Sequence, residues 1–290
     1  MTAPLAAQDG RFARLAPRRL SSCALAALLA LLFSAGGCGY LQPSNHRDWA
    51  PENAVLSTAE FDGDLVTVRN VRNNIYVAND QFAIDHYDKT YDLRELQTID
   101  FIVVPMKEVP GLAHTMLSFG FDGGQYVAVS GEIRKEKGES YKPFQGVFNQ
   151  YELMYVVGDE RDLVKLRTNF RNDDVYLYRS KATPEQARLV FVDVMQRVNK
   201  LAAEPEFYNT LTNNCTSNIV AHVNKVTPGR VSPWNLRAVL PGFSDRLAYD
   251  LGLIESKGSF EATKYSARVS HLAQAFGDDP AFSQRIRQVR

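Results

Sequence analysis

Cys215 is the residue best suited to covalent chemistry. It lies in the stretch TLTNNCTSNI, directly after two asparagines and at the predicted start of a helix. A thiol in the first turn of a helix meets unpaired backbone N–H groups and the positive end of the helix dipole, and both lower its pKa. The same amides, above all that of Cys215, can form part of an oxyanion hole. The pattern predicts a nucleophile; the alternative is a buried cysteine that packs as a small apolar side chain.

A cysteine nucleophile needs a base, and the chain has five histidines. Two of them lie in segments predicted to flank the folded domain. His222 lies two turns along the Cys215 helix, about 10 Å up its axis and too far to act directly. His86 and His114 are left, and His114 is favoured because it opens a predicted strand after the turn-forming sequence VPGLA. We predict His114 as the base, with an ordinary histidine at a strand end as the alternative.

Glu132 is predicted to orient His114 across a hairpin. The pattern indicates strands over residues 114–121 and 125–135, joined at the turn DGG. Pairing around that turn brings Glu132 towards His114, and the base of such a pair is in turn oriented by a third polar group. The alternative is a surface glutamate without a role in catalysis.

Five polar residues are candidates for substrate binding. A guanidinium group suits the phosphate of a phospholipid or a substrate carboxylate. The alternative for the arginines is ion pairing with the acids of their own segments, GDERD and RTNFRNDD. The candidates are Arg134, Arg161, Arg167, Arg171 and Asn214, the last of which directly precedes the thiol.

The composition argues against several other classes of function. The chain has 290 residues with 33 basic and 33 acidic side chains, and it has no basic stripe of the kind that binds nucleic acid. It also lacks a Walker loop, a dinucleotide fingerprint, an HExxH motif and a CxxC motif. We therefore expect no metal, no cofactor and no nucleic-acid partner.

An export signal is predicted at the N-terminus. Four arginines between residues 11 and 19 precede an apolar run over residues 24–33, which is short for a membrane span and suits a signal peptide. The following SAGGCG resembles a bacterial lipobox, in which Cys38 is lipidated after cleavage. Ordinary secretion and an uncleaved anchor are the alternatives. We expect a lipid anchor that holds the protein at a membrane surface on the periplasmic side of the cell envelope, and CGYLQ mildly favours the outer membrane.

An α+β fold is predicted from the order of the patterns. Strand-like alternation dominates the first half of the domain and helical periods the second, so we expect an antiparallel sheet followed by helices, with the cysteine at a helix N-terminus. The predicted boundaries are a signal peptide over residues 1–37, a tether over residues 38–52 and a catalytic domain over residues 53–255. Residues 256–290 are polar and are predicted to be a loosely packed tail.

A family resemblance adds to these predictions. The order of strand histidine, strand acid and helix-start cysteine is similar to that of a circularly permuted papain-like fold. NNC and AHTMLSFGF look like the motifs of the lecithin retinol acyltransferase group of NlpC-like enzymes. The chain resembles the Lnb N-terminal periplasmic domain family more closely, over residues 66–253, through AHTMLSFGFDGGQYVAVSGEIRKEKGESY, YELMYVVGDERDLVKLRTN and NNCTSNI. The resemblance implies Cys215 as nucleophile, His114 as base and Glu132 as orienting acid.

The resemblance also implies an activity. The members that give the family its name are bacterial lipoprotein N-acyltransferases, which carry a multi-span membrane domain; no comparable apolar segment follows Cys38 here. We expect a cysteine acyltransferase or thiol hydrolase that works through an acyl-thioester at Cys215, on an acyl lipid, a lipoprotein or the cell wall. The alternatives are a cell-wall peptidase or amidase of the NlpC-like type, and a non-catalytic envelope lipoprotein with an inert Cys215.

Overall fold

A central sheet organises the domain in the computed structural model, which describes residues 42–140 and 142–288. The strands are β1 (Thr58–Asp62), β2 (Leu65–Arg72), β3 (Ile75–Ala78), β4 (Gln81–Ala83), β5 (His86–Asp92), β6 (Leu96–Pro105), β7 (Ala113–Phe121), β8 (Gln125–Arg134), β9 (Tyr151–Gly158), β10 (Tyr176–Arg179) and β11 (Phe207–Tyr208). The α-helices are α1 (Pro143–Val147), α2 (Glu160–Lys165), α3 (Pro184–Ala203), α4 (Cys215–Val226), α5 (Leu236–Val239), α6 (Ser244–Asp250), α7 (Phe260–Ala267), α8 (Ser270–Ala275) and α9 (Phe282–Arg285).

The sheet is antiparallel at almost every strand pair. Its main order is β1-β2-β9-β8-β7-β6-β10, with β5 on β2 and β11 on β9, while β3 and β4 form a separate hairpin. The exception is a single parallel pairing of β2 with β9, at Arg72 and Gly158. The predicted α+β class, with an antiparallel sheet followed by helices, is confirmed.

Helix α3 covers one face of the sheet. It begins with a capping box, in which Thr183 accepts a hydrogen bond from the Gln186 amide and the Gln186 side chain accepts one from the Thr183 amide. Its apolar residues recur at helical spacing, so that a single stripe faces the strands. The buried residues of that stripe are Ala187, Val190, Phe191, Val194, Met195, Val198 and Leu201.

The second face of the sheet is covered by α2, α8 and α9. This corrects the prediction that residues 256–290 form a loosely packed tail. The second face is apolar too, and the C-terminal helices supply the side chains that remove it from water. These side chains are Val269, Ala273, Phe282 and Ile286, all buried. Arg287 holds the segment further through buried ion pairs with Asp100 at 2.9 Å and Glu160 at 2.6 Å.

The described part of the predicted tether also packs onto the domain. Asn45 donates to the Leu201 carbonyl at 3.0 Å, and the Trp49 ring is buried against the Arg134 guanidinium, 4.3 Å away. The compact unit accordingly begins at Pro43, and residues 43–52 do not form a free tether. The predicted signal peptide and Cys38 lie outside the described residues. Among the residues that are described, no helix is long and apolar enough to cross a bilayer.

Candidate active site

Three elements bring the predicted catalytic residues to one end of the sheet. His114 is the second residue of β7, Glu132 lies near the end of β8, and Cys215 is the first residue of α4. Strands β7 and β8 pair with Met116 opposite Ser130. Continuing this register by two residues places His114 opposite Glu132, as the sequence predicted. Directly opposed residues of an antiparallel pair project to the same face, so the two side chains are neighbours.

The start of helix α4 is held close to the sheet. Gly131 of β8 lies directly beside this start, since a Cβ added there would be in van der Waals contact with the Cys215 Cα at 3.4 Å. A hydrogen bond of 2.9 Å between the Thr115 and Thr216 hydroxyls joins β7 to the first turn of the helix. The cysteine is therefore fixed against the strand that carries His114.

Asn214 caps helix α4. Its Oδ1 accepts from the Ser217 amide at 2.8 Å, Ser217 Oγ accepts from the Asn214 amide at 2.8 Å, and Asn214 Nδ2 donates to the Thr210 carbonyl at 2.7 Å. Asn214 borders the cleft beside Cys215, but its side chain is committed to these bonds. The structure thus gives the predicted substrate-binding asparagine a capping role.

A serine that the sequence argument missed connects the histidine to the acid. Ser130 Oγ lies 2.6 Å from His114 Nε2 and donates to Glu132 Oε1 at 3.0 Å, while Nε2 itself lies 3.5 Å from Glu132 Oε1. One imidazole nitrogen is therefore directed to Ser130 and Glu132, and Nδ1 is the nitrogen that remains available to the thiol. Ser130 stands two residues before Glu132 on the same strand, and this spacing of two is the signal that could have identified it.

The electrostatics of the three groups favour a thiolate–imidazolium pair. Burial raises the pKa of Cys215, but the hydrogen bond and positive charge of His114 outweigh it and lower that pKa to about 7. Burial and Arg167 lower the pKa of His114, yet Cys215 and Glu132 raise it above its ordinary value. Burial raises the pKa of Glu132, but His114 and Arg167 hold it well below the usual range. The carboxylate thus stays ionised and supports a protonated imidazole.

The candidate arginines separate into two groups. Arg167 lies in the site, 3.4 Å from Glu132, and Arg171 lines the same cleft. Arg134 is turned away to donate to the Asn53 carbonyl, and Arg161 pairs with Asp159 at the surface. Neither Arg134 nor Arg161 is among the residues that line the cleft, so the structure brings only Arg167 and Arg171 of the four arginines to Cys215.

A cleft of about 720 Å³ opens beside the thiol. Cys215 is 5% exposed and forms part of its wall together with His114 and Glu132. Apolar groups such as Met106, Leu112 and Pro241 line one part of the cleft. Charged groups line much of the remainder, namely Glu52, Arg72, Asp80, Lys135, Glu139, Arg167 and Arg171. The thiol thus has access to a space large enough for part of a substrate.

A second histidine–carboxylate pair joins helix α4 to helix α3. His222 Nδ1 is 2.7 Å from Asp193 on α3, and its Nε2 is 2.9 Å from the Tyr155 hydroxyl. Lys225 also pairs with Asp193. Both imidazole nitrogens are occupied, so this cluster fastens α4 to α3 and β9.

The family of the chain follows from comparison with known proteins. The family model of the Lnb N-terminal periplasmic domain matches residues 83–242, more than half of the chain. The chain belongs to this family. The matched range of this Lnb N-terminal periplasmic domain contains His114, Glu132 and Cys215, and the family assignment gives a periplasmic location. No curated protein and no solved structure matches the chain significantly.

Proposed function

We propose that this periplasmic domain is a cysteine-dependent acyltransferase or thiol hydrolase that forms an acyl-thioester on Cys215. The observation that carries the proposal is a thiol with a pKa lowered to about 7, at the wall of a cleft and next to a histidine supported by Glu132. A low-pKa cysteine paired with an oriented histidine is the arrangement that nucleophilic catalysis requires.

The proposed reaction has two half-reactions. The Cys215 thiolate attacks the carbonyl carbon of an ester or amide, and the carbon–sulfur bond forms while charge develops on the carbonyl oxygen. In the proposed reaction the backbone amide of Cys215 stabilises that oxygen, since the Ser217 amide of the same turn is already bonded to the Asn214 cap. His114 then donates its proton to the leaving oxygen or nitrogen, and the bond to that atom breaks. In the second half, an amine or water attacks the thioester, gives its proton to His114 and releases the thiolate.

Ser130 and Glu132 act on the imidazole rather than on the substrate. Their contacts to His114 Nε2 hold the ring so that Nδ1 remains available to the thiol. Arg167 lies 3.4 Å from Glu132 and helps to keep the carboxylate ionised, but the contact is long for a charged hydrogen bond, so the carboxylate also interacts with His114. The pKa of His114 therefore depends on Glu132, which lies on β8, and on Arg167, which follows α2 in the chain.

An acyl lipid or a lipoprotein is the proposed substrate class. It rests on membership of the Lnb N-terminal periplasmic domain family and on the proposed lipid anchor at Cys38, which would keep the domain near acyl chains. The apolar part of the cleft, at Met106, Leu112 and Pro241, suits an acyl chain next to the reacting carbonyl. Outer-membrane residence stays part of the same proposal.

A cell-wall peptidase or amidase is the second candidate. It is favoured by one observation, the density of charged side chains in the cleft beside Cys215. Arginines and lysines there would pair with the carboxylates of a peptidoglycan stem peptide, and the chemistry at Cys215 and His114 would be unchanged. The two candidates thus share the acyl-thioester and differ in its acyl group.

The acyl group distinguishes the candidates. The purified full chain is incubated with phospholipid vesicles or with peptidoglycan fragments, and its intact mass is recorded before and after hydroxylamine. We expect a gain of one fatty-acyl mass that hydroxylamine removes, since hydroxylamine cleaves thioesters. Gain of a peptide fragment instead would favour the peptidase.

Two variants make the experiment specific. Cys215→Ala should show no adduct, and His114→Ala should accumulate it far more slowly. Absence of any adduct in the wild-type protein, together with absence of alkylation of Cys215 by iodoacetamide, would contradict the proposal and favour a non-catalytic lipoprotein.

A further inference from the structure

Large apolar side chains are exposed on the segment between α4 and α6. Trp234 is 84% exposed and Leu236 is 73% exposed, and Leu240 and Phe243 on the same segment are each more than one third exposed. Val109, in the turn between β6 and β7, is exposed to a similar extent. We call this set the apolar rim, and it consists of Val109, Trp234, Leu236, Leu240 and Phe243. Exposed apolar side chains that cluster on a soluble domain mark an interaction surface.

Backbone contacts hold the apolar rim together. Leu236 and Leu240 are four residues apart on α5 and its C-cap, so they lie on the same side, while Ala238 is buried. The Gly242 amide donates to the Gly111 carbonyl at 2.9 Å, which joins this segment to the turn between β6 and β7. The Phe243 ring also reaches Gly111, whose added Cβ would lie 3.4 Å from it. The five side chains therefore belong to two adjoining segments.

The apolar rim borders the Cys215 cleft. Pro241, which lies between Leu240 and Phe243, is one of the cleft residues. Met106 and Leu112, which flank the turn that carries Val109, are two others. A partner that binds the apolar rim would therefore lie next to the Cys215 cleft.

The N-terminal part of the chain reaches the domain at the same end of the sheet. The Ser44 amide donates to Glu152 near the start of β9, and Asn45 accepts from Arg134 at the end of β8. The end of β8 lies beside the start of β7, because the two strands are antiparallel. Cys38, the predicted lipidation site, precedes Asn45 by seven residues, which span at most about 25 Å. A lipid on Cys38 would therefore keep this end of the sheet close to a bilayer.

Two basic side chains beside the apolar rim are paired with acids, while Glu108, next to Val109, is exposed. Lys107 lies 3.6 Å from Asp173, and Arg237 pairs with Asp250 at 2.5 Å. A surface of exposed tryptophan, leucine and phenylalanine with paired charges suits insertion into a bilayer interface better than a charged partner. The strength of such insertion increases with the apolar area that is buried.

We propose that the apolar rim inserts into the interface of a lipid bilayer, so that the Cys215 cleft opens at the membrane surface. This surface is separate from the catalytic groups, and its occupancy does not depend on the reaction at Cys215.

Tryptophan fluorescence tests the proposal, because the chain has two tryptophans. The full chain is reconstituted into phosphatidylcholine vesicles whose acyl chains carry bromine, which quenches a tryptophan only at acyl-chain depth. Trp234 is exposed and Trp49 is buried in the domain. We expect quenching and a shift to shorter wavelength in Trp49→Phe, where Trp234 is the single reporter, and loss of both effects in Trp234→Phe.

Exposed leucines supply a matched pair of variants that keep both tryptophans. Leu236→Glu places a charge in the apolar rim and should reduce the quenching. Leu189→Glu places the same charge on α3, where the neighbouring Arg188 reaches the Arg94 carbonyl near the start of β6, at the opposite end of the sheet. The quenching should be unchanged in Leu189→Glu and in Cys215→Ala, so that a failure of the proposed catalysis is distinguished from a failure of membrane insertion.

Two results would overturn the proposal. The first is an absence of bromine quenching in both the wild-type protein and Trp49→Phe. The second is a wavelength shift that depends on protein concentration and needs no lipid, since this would mean that the rim binds a second copy of the chain.

Discussion

Two histidine–carboxylate pairs lie near helix α4, the His222–Asp193 pair that joins it to α3 and the His114–Glu132 pair beside its first residue, and the two differ in what they can do. His222 and Asp193 lie 2.7 Å apart, closer than the 3.5 Å between His114 and Glu132. The tighter pair has both imidazole nitrogens occupied and has no nucleophile beside it. The looser pair faces the Cys215 thiol and borders a cleft. A histidine next to a carboxylate therefore indicates catalysis only where one nitrogen faces a reactive group.

The His114–Glu132 pair is expected to act in the reaction, and the His222–Asp193 pair is expected to stabilise the fold. The His114 pair lowers the pKa of the Cys215 thiol. We therefore expect its loss to affect the reaction more than the stability of the fold. The His222 pair joins α3, α4 and β9, and we expect its loss to affect stability more than chemistry.

The largest effect is expected from removal of the nucleophile. Cys215→Ala should lower the rate of acyl-enzyme turnover on the order of 10³-fold or more, since the covalent route is lost. The measurement is hydrolysis of an activated acyl ester by the full chain. Tyr155→Phe removes a hydroxyl from the His222 cluster and should leave the rate within a few-fold; equal losses in the two variants would break the comparison.

The next largest effect is on the reactivity of the thiol. His114→Ala removes the hydrogen bond and the charge that lower the pKa of Cys215, so the rate of alkylation at pH 7 should fall on the order of 10- to 100-fold. His222→Ala serves as the control and should alkylate at nearly the wild-type rate. Iodoacetamide labelling followed by mass spectrometry gives both rates.

A smaller effect is expected from the carboxylates. Glu132→Gln keeps the size of the side chain but removes the charge that supports the His114 imidazolium, so kcat/KM should fall roughly 10-fold. Asp193→Asn makes the equivalent change in the other pair and should alter kcat/KM little. If Asp193→Asn is the more damaging variant, the assignment of the orienting acid is wrong.

The order is reversed for stability, where the His222 pair should matter more than the His114 pair. His222→Ala leaves the buried Tyr155 hydroxyl and the Asp193 carboxylate without their imidazole partner, so we expect the free energy of unfolding to fall by about 2–4 kcal/mol. His114→Ala opens onto the cleft, where water can replace the lost contacts, and should cost less than about 1 kcal/mol. Urea denaturation of the two variants under identical conditions measures the difference.

Local patterns predicted the elements that build the site. The hairpin of β7 and β8, the capped helix α3 and the start of α4 at Cys215 all follow from residues that are close in sequence. The opposition of His114 and Glu132 follows from the same hairpin register. These features could be predicted from the sequence because hydrophobic periodicity and turn-forming residues act over a few neighbouring positions.

Contacts between distant segments were not accessible in the same way. The tail looked polar, but Val269 and Phe282 are buried because they complete, together with α2, the cover of the second face of the sheet. Arg134 was predicted to lie near the site because it follows Glu132 on β8. Its guanidinium instead packs on the Trp49 ring, which is far away in sequence. The His222–Asp193 pair joins two helices, and their packing cannot be derived from either helix alone. Catalysis by Cys215, His114 and Glu132 stays a prediction, although the structure brings them together.

The pH dependence of Cys215 alkylation tests the central claim most directly. The rate of iodoacetamide labelling of the folded full chain is measured from pH 5 to pH 10, and only the thiolate reacts. Because the pKa of Cys215 is lowered to about 7, the rate should be low below that pH and should rise to a plateau above it. In His114→Ala the rise should move towards the ordinary thiol value near 9. A rise near 9 in the wild-type protein, or no labelling before unfolding, would contradict an activated nucleophile at Cys215.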